Sequence, residues 1–105
     1  MHKVTVYIPT AKLGLYHVGE VVRTLTLIAG GRTETASFGH WQAGPPTFEM
    51  VSEPITQVSF LETFGTDRVV SFKANLDRLV RELHKSGEQS VLIERTEVEA
   101  EFHNA

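Results

Sequence analysis

Cysteine is absent from this sequence of 105 residues. Its absence excludes disulfide bonds, thiol catalysis and thiolate metal sites, and it agrees with a reducing compartment. Apolar runs are only a few residues long, far short of the roughly 20 residues that a membrane-spanning helix needs. The first ten residues, MHKVTVYIPT, alternate like a strand and lack the apolar core of a signal peptide. We therefore expect a cytoplasmic protein without a membrane partner.

Basic character and metal-binding patterns are also missing. The net charge is −3, so there is no excess of positive charge to attract nucleic acid, which we do not expect as a partner. The histidines show neither HxH nor HExxH spacing, and no metal site is predicted. They are His2, His17, His40, His84 and His103. Gly30-Gly31-Arg32 lacks the spacing of a phosphate-binding loop and is interpreted as a helix C-cap. We expect no cofactor.

The first third of the chain predicts a strand followed by a helix. Val4, Val6 and Ile8 alternate with polar residues, as in a strand with one buried face, and Pro9 ends the run. From Thr10 the apolar spacing changes to three and four, which indicates a helix. Its firm part is predicted over residues 18–29, because glycines weaken the first turn.

The rest of the chain is organised around a hairpin, residues 33–64. Its strands are predicted at 33–42 and 55–64, joined by the connection AGPPTFEMVSEP, which we interpret as a flexible loop. A second helix is predicted to begin at an N-cap, Thr66 or Asp67, and to end at Gly87. A last strand is predicted over residues 90–102, with a bulge near Arg95-Thr96 or a division into two short strands.

This order of elements predicts an α+β fold. Strand, helix, strand, strand, helix, strand is the ferredoxin-like βαββαβ order, and right-handed crossovers put both helices on one face of a four-stranded antiparallel sheet. We expect a single domain spanning residues 1–105. Nothing in the chain covers the other face of the sheet, and open faces and edges favour association. We therefore expect a homo-oligomer, with a trimer favoured over a dimer.

The hairpin and the last strand carry a resemblance to known families. The pattern W41-x2-G44-x8-E53 is similar to the hairpin of CutA-type trimers, and the element order resembles the PII signal-transduction proteins. The segment EQSVLIER, residues 88–95, is similar to the start of the last strand of bacteriophage S-adenosylmethionine lyases, where a glutamine precedes an apolar strand. Those lyases also carry an aromatic residue and a glutamate in the hairpin, which Trp41 and Glu53 match. They tend to have tyrosine where this chain has tryptophan, which cannot transfer a hydroxyl proton.

The resemblance implies a set of site residues. Glu53 would bind a ligand ammonium group or act as a catalytic general base. Trp41 would stack on a base or a sulfonium, and Gln89, with the adjacent Glu88, would present polar groups to the ligand. His40 flanks Trp41 and would also contact the ligand. We expect Gln89 to reach the hairpin from a neighbouring subunit rather than within one chain.

Each of these residues also has a structural interpretation. Glu53 would then be a solvated turn carboxylate, Gln89 part of a plain connector, and Trp41 a core or interface aromatic. His40 would be a surface histidine. Three functions therefore stay open from the sequence: a small-metabolite-binding oligomer with sites between subunits, a lyase that releases methylthioadenosine from S-adenosylmethionine, and a structural or protein-interaction module.

Overall fold

The computed structural model describes all residues, 1–105, and contains four strands and three helices. The strands are β1 (His2–Pro9), β2 (Thr33–Gln42), β3 (Met50–Leu61) and β4 (Ile93–Glu97). The helices are α1 (Thr10–Leu13), α2 (Tyr16–Ala29) and α3 (Thr66–Lys85). None of these helices is long and apolar enough to cross a membrane.

The strands form one antiparallel sheet in the order β2-β3-β1-β4. Central strand β1 pairs with β3 on one side and with β4 on the other. The helices cover a single face, because alternate residues of β1 and β3 share one buried cluster with residues of α2 and α3. The predicted ferredoxin-like α+β fold is therefore confirmed.

The core lies between the sheet and the two long helices. Phe60 of β3 meets Phe72 of α3 edge to face, with ring centroids 5.8 Å apart. The core side chains are all aliphatic or aromatic, so hydrophobic burial dominates here. The cluster consists of Val4, Val6, Ile8, Val18, Val21, Val22, Leu25, Ala29, Val58, Phe60, Phe72, Leu79 and Leu83.

The opposite face of the sheet, which we call the open face, is not covered by any helix of this chain. It carries mainly hydroxyl and amide side chains, and Thr5 and Ser59 are joined across it by a hydrogen bond of 2.8 Å. The open face is therefore more polar than the face that packs against the helices. Its residues include Thr5, Tyr7, Thr33, Thr35, Ser37, Gln57, Ser59 and Glu94.

The helices differ from the prediction in detail. The first helical segment is divided at Gly14, which caps α1, and α2 then begins at Tyr16. The predicted end of α2 is correct, since Gly30 has φ 83° and its amide donates to the Thr26 carbonyl. The predicted N-cap of α3 was wrong: the capping residue is Gly65, and no side chain makes the cap hydrogen bond.

The strands differ more. The predicted last strand was too long, because only Ile93–Glu97 pairs with β1, without a bulge. The predicted start of β3 was too late. This strand begins at Met50, so the connection contains only residues 43–49 and Glu53 lies inside the strand. Pro54 is tolerated there because β1 ends opposite Ile55 and leaves that side of β3 unpaired.

Candidate functional site

The hairpin extends beyond the rest of the sheet. Strand β1 ends at Pro9, opposite Ile55, whereas β2 and β3 continue as a pair up to Gln42 and Met50. We call residues 38–54 the hairpin arm. The connection from α3 to β4 runs beside the end of β1, where the Tyr7 amide donates a 3.1 Å hydrogen bond to the Leu92 carbonyl. A cavity therefore forms between the base of the arm and this connection.

This cavity, which we call the Trp41 cavity, has a volume of about 740 Å³ and brings together all five predicted site residues. A volume of that size is in the usual range for small-molecule sites. Gln89 reaches it within one chain, so no neighbouring subunit is needed to place it beside the hairpin. The cavity is lined by Tyr7, Pro9, Ser37, Phe38, Gly39, His40, Trp41, Glu53, Ile55, Gln57, Gly87, Glu88, Gln89, Ser90 and Leu92.

Gly39 lets the Ile55 side chain approach β2 closely. A Cβ atom on Gly39 would lie only 2.9 Å from Ile55 Cγ1, whereas Trp41 Cζ3, at 3.6 Å, would be in ordinary van der Waals contact with it. The indole therefore leans back along β2 towards Gly39. It is 43% exposed, which places it in the cavity wall rather than in the core.

Glu53 projects from the arm strand directly across from Gly39. It is half-buried and forms neither an ion pair nor a side-chain hydrogen bond. A partly desolvated carboxylate without a partner attracts a cation or a hydrogen-bond donor. Glu53 is therefore a strand residue whose acceptor capacity is still free.

Glu88 and Gln89 are held at the end of α3. Gly87 takes a φ of 106°, and the Glu88 amide turns back to donate to the Leu83 carbonyl at 3.1 Å. The ring of His84 donates through Nδ1 to the Glu88 carbonyl at 2.7 Å. Gln89 lies four residues before β4, whereas the sequence predicted that the last strand begins directly after it, at residue 90. Neither its side-chain amide nor the Glu88 carboxylate forms a side-chain hydrogen bond or an ion pair.

His40 lies on the side of β2 opposite Trp41. Its ring stacks on that of Phe38, with centroids 6.5 Å apart and an angle of 26° between planes. Both rings are largely exposed at the rim of the cavity. His40 is thus a rim residue beside an exposed aromatic side chain.

The charges around the cavity have one sign. Its lining includes the carboxylates of Glu53 and Glu88 and contains no lysine or arginine. Trp41, Phe38 and Tyr7 add aromatic surface. No group of three or more histidine, aspartate or glutamate residues is placed to hold a metal ion. The arrangement offers acceptors and π-faces, which together suit a cationic organic ligand.

Tyr7 also lines the Trp41 cavity, although no sequence pattern marks it as a site residue. Hydrogen bonding to Glu94 raises the pKa of the Tyr7 hydroxyl above 10.0, and burial and the charge of Glu94 raise it further. The phenol is therefore neutral across the physiological range. Its alternation with Val6 and Ile8 did indicate the open face, but nothing in the sequence placed it beside the hairpin.

A second cavity, of about 510 Å³, lies at the other end of the open face. It is formed by the start of β2, the end of α2 and Phe102, and it shares Gln57 with the Trp41 cavity. Lys3 and Arg32 are its cations, although the Arg32 guanidinium is held by Glu34 at 3.0 Å. None of the predicted site residues lies there.

Comparison with known proteins identifies the fold. No protein-family model and no curated protein matches the chain. A phage S-adenosylmethionine lyase in complex with S-methyl-5′-thioadenosine is similar in structure, with 18% identity over 91% of this chain and 80% of the lyase, and a TM-score of 0.54. The GlnK–ATP complex of B. subtilis is 9% identical over 91% of this chain and 82% of GlnK, with a TM-score of 0.52. CutA1 from Pyrococcus horikoshii is 14% identical over 99% of this chain and 89% of CutA1, with a TM-score of 0.51.

These similarities define a class. The chain has the PII-like and CutA-like form of the ferredoxin-like fold, as the resemblance in its sequence implied. Sequence identities of this size establish the fold alone. The choice among ligands must therefore come from the Trp41 cavity.

Proposed function

We propose that this chain forms a homotrimer that binds a small adenosyl-containing metabolite in the Trp41 cavity. The observation that carries the proposal is the convergence of Trp41, Glu53 and Gln89, from three separate segments, on one cavity without a basic residue. In the trimer, the open face and the sheet edges would bury against neighbouring subunits and place the cavities at the interfaces.

The charge of the cavity favours a sulfonium over a nucleotide phosphate. Two proteins of similar fold hold adenosyl ligands: ATP in GlnK and S-methyl-5′-thioadenosine in the phage lyase. A triphosphate needs lysine, arginine or a metal ion to balance its charge, and carboxylates in its place would repel it. A sulfonium or ammonium group is instead attracted to carboxylates and aromatic faces. S-adenosylmethionine carries both groups.

Each predicted residue then has a defined role. Glu53 accepts hydrogen bonds from the ligand ammonium group, and Trp41 covers the sulfonium with its π-face. Gln89 binds the ligand carboxylate or the adenine edge through its amide. Glu88 adds negative charge, and His40 closes the rim.

A second candidate function is cleavage of S-adenosylmethionine to methylthioadenosine. The similarity in fold to the phage lyase and the cationic character of the expected ligand favour it. As the catalytic general base, Glu53 would take a proton from the β-carbon of the methionine chain; the electron pair forms a carbon–carbon double bond, and the bond from the γ-carbon to sulfur breaks. The products are methylthioadenosine, a neutral thioether, and an unsaturated four-carbon amino acid, with the proton on Glu53. Incubation with S-adenosylmethionine, followed by chromatography for methylthioadenosine, separates this activity from binding alone.

Binding is tested by thermal shift and calorimetry with S-adenosylmethionine, ATP, ADP and AMP. We expect stabilisation by S-adenosylmethionine, about 2.7 kcal/mol at a concentration of 100 Kd. Glu53→Gln and Gln89→Ala should each remove this response, while the control Glu99→Gln, outside the cavity, should retain it. No response to any of the four compounds would contradict the proposal and favour a structural or protein-interaction module.

Assembly is tested by light scattering at micromolar concentration. A trimer is expected, and the two cavity variants should keep it with nearly unchanged melting temperature. A monomeric wild type would contradict the assembly. Dissociation of either variant would identify that residue as structural.

A further inference from the structure

Tyr7 stands at the inner end of the Trp41 cavity, on the open face of β1. It is half-buried and opposite Gln57 of β3. Its backbone is fixed on both sides, through the pairing with β3 and through the hydrogen bond from its amide to Leu92. A ring held in this way between two chain segments offers a preorganised surface to a ligand.

Glu94 approaches Tyr7 from the neighbouring strand. It pairs with Thr5 on β4, and Thr5 and Tyr7 are successive residues on the same face of β1. Glu94 and Tyr7 are therefore diagonal neighbours, a spacing that long side chains bridge. No lysine or arginine forms an ion pair with Glu94. The Tyr7 hydroxyl forms no side-chain hydrogen bond to any other residue, and the carboxylate of Glu94 raises its pKa.

We propose that Tyr7 contacts the ligand of the Trp41 cavity and that Glu94 is its positioning residue, taking the phenol hydrogen so that the oxygen faces the ligand as an acceptor. This inference rests on the proposed function and adds to it. A phenol has one hydrogen to donate, and once that hydrogen is committed only the lone pairs remain. The Tyr7 oxygen then selects a ligand group that donates, such as a ribose hydroxyl or an amino group.

Other groups in the Trp41 cavity are hydrogen-bond acceptors as well. Glu53, Glu88 and the Tyr7 oxygen all accept hydrogen bonds, whereas Gln89 supplies the amide donor. A ligand that carries ribose hydroxyls and an amine satisfies these acceptors. A ligand without hydroxyl or amino hydrogens would leave them unpaired, which costs binding free energy.

The test uses the two tyrosines of the chain as a matched pair. Tyr7→Phe removes the hydroxyl and keeps the ring, and Tyr16→Phe is the control, since Tyr16 is 76% exposed and lies outside the cavity. Calorimetry with S-adenosylmethionine should show about threefold to tenfold weaker binding for Tyr7→Phe and no change for Tyr16→Phe. Equal affinity of Tyr7→Phe and wild type would overturn the inference and leave the proposed function standing. A wild type that binds no S-adenosylmethionine would overturn both.

The role of Glu94 has its own readout. In the Tyr16→Phe background Tyr7 is the only tyrosine, so phenolate absorbance follows its titration alone. Adding Glu94→Gln should lower the pKa of Tyr7 and weaken S-adenosylmethionine binding, whereas Glu94→Asp, which keeps the charge, should recover part of both. An unchanged titration after Glu94→Gln would overturn the positioning role. Circular dichroism of each variant verifies the fold.

Discussion

The two halves of β3 differ in their strand pairing and in their burial. From Ile55 to Ser59 the strand is paired on both sides, Phe60 and Leu61 are paired with β1, and the inward residues of this half are buried under the helices. From Met50 to Pro54 it is paired only with β2, and no residue is fully buried. The first half belongs to the core, and the second presents the Glu53 carboxylate next to Trp41 of β2. A single strand thus contributes to both the core and the candidate site.

Truncating one side chain in each half of β3 should lower the free energy of unfolding by very different amounts. Phe60→Ala removes a ring that is 1% exposed and packed on Phe72, so we expect a loss of about 3–5 kcal/mol in the free energy of unfolding. Met50→Ala, in the arm, removes a side chain that is 71% exposed and should cost less than ~0.5 kcal/mol. Urea denaturation measures both. A comparable loss for Met50→Ala would show that the arm is buried against another copy of the chain.

Adding a single methyl group at the base of the arm should disturb the site. Gly39→Ala brings a Cβ to 2.9 Å from Ile55 Cγ1, and we expect a cost of about 1–3 kcal/mol from the crowding. Trp41 is the only tryptophan, so its fluorescence reports whether the indole moves.

The matched control is Gly44→Ala, where a Cβ would meet nothing within 4 Å. It should leave both stability and Trp41 emission unchanged. Ile55→Ala, added to Gly39→Ala, should restore the native emission because it removes the crowding atom. If Gly39→Ala behaves like Gly44→Ala, the close approach of Ile55 to Gly39 is wrong.

The smallest change in stability is expected from breaking an ion pair at the end of the sheet that lies away from the hairpin arm. Arg95 of β4 holds Glu62 with two hydrogen bonds of 3.0 and 2.7 Å, and this contact lowers the pKa of Glu62 below 4.5. A carboxylate with a depressed pKa stabilises the fold above its unfolded pKa, and that contribution is lost as pH falls through the folded pKa. Arg95→Met should therefore destabilise the protein at pH 7 and cost much less at pH 3.

Urea denaturation at the two pH values measures this difference. Glu82→Gln, which removes a single 3.4 Å contact with Lys85 on α3, is the control and should show a weaker dependence on pH. An Arg95→Met penalty that stays constant between pH 7 and pH 3 would show that the pair with Glu62 does not stabilise the fold.

The sequence predicted the helix-covered half well because burial there imposes a clear period. Val4, Val6 and Ile8 alternate, and Val18, Val22 and Leu25 follow helical spacing, so the element order and the fold class could be derived from them.

The arm was harder to predict because little of it is buried. Residues 50–54 show no apolar alternation and contain Pro54, a residue that usually argues against a strand, so β3 was predicted to begin too late. The end of the chain shows the converse error. Val98, Ala100 and Phe102 alternate as in a strand, but only Ile93–Glu97 has a partner in β1.

The candidate site was only partly predictable. Trp41 and Glu53 could be selected as unusual residues of one hairpin, but the position of Gln89 depends on how the chain leaves α3 at Gly87. Tyr7 could not be distinguished from other half-buried strand residues, since its neighbour Glu94 is distant in sequence. Such convergence is a property of the tertiary fold, and local patterns do not encode it.

The proposed binding of S-adenosylmethionine depends on the negative charge of the Trp41 cavity, and one pair of ligands isolates the effect of that charge. S-adenosylmethionine and S-adenosylhomocysteine differ by one methyl group and the positive charge on sulfur. Calorimetry on the wild type should give about tenfold tighter binding for S-adenosylmethionine. Equal affinity for the two compounds, or tighter binding of ATP than of either, would contradict the proposal that the cavity selects a sulfonium ligand.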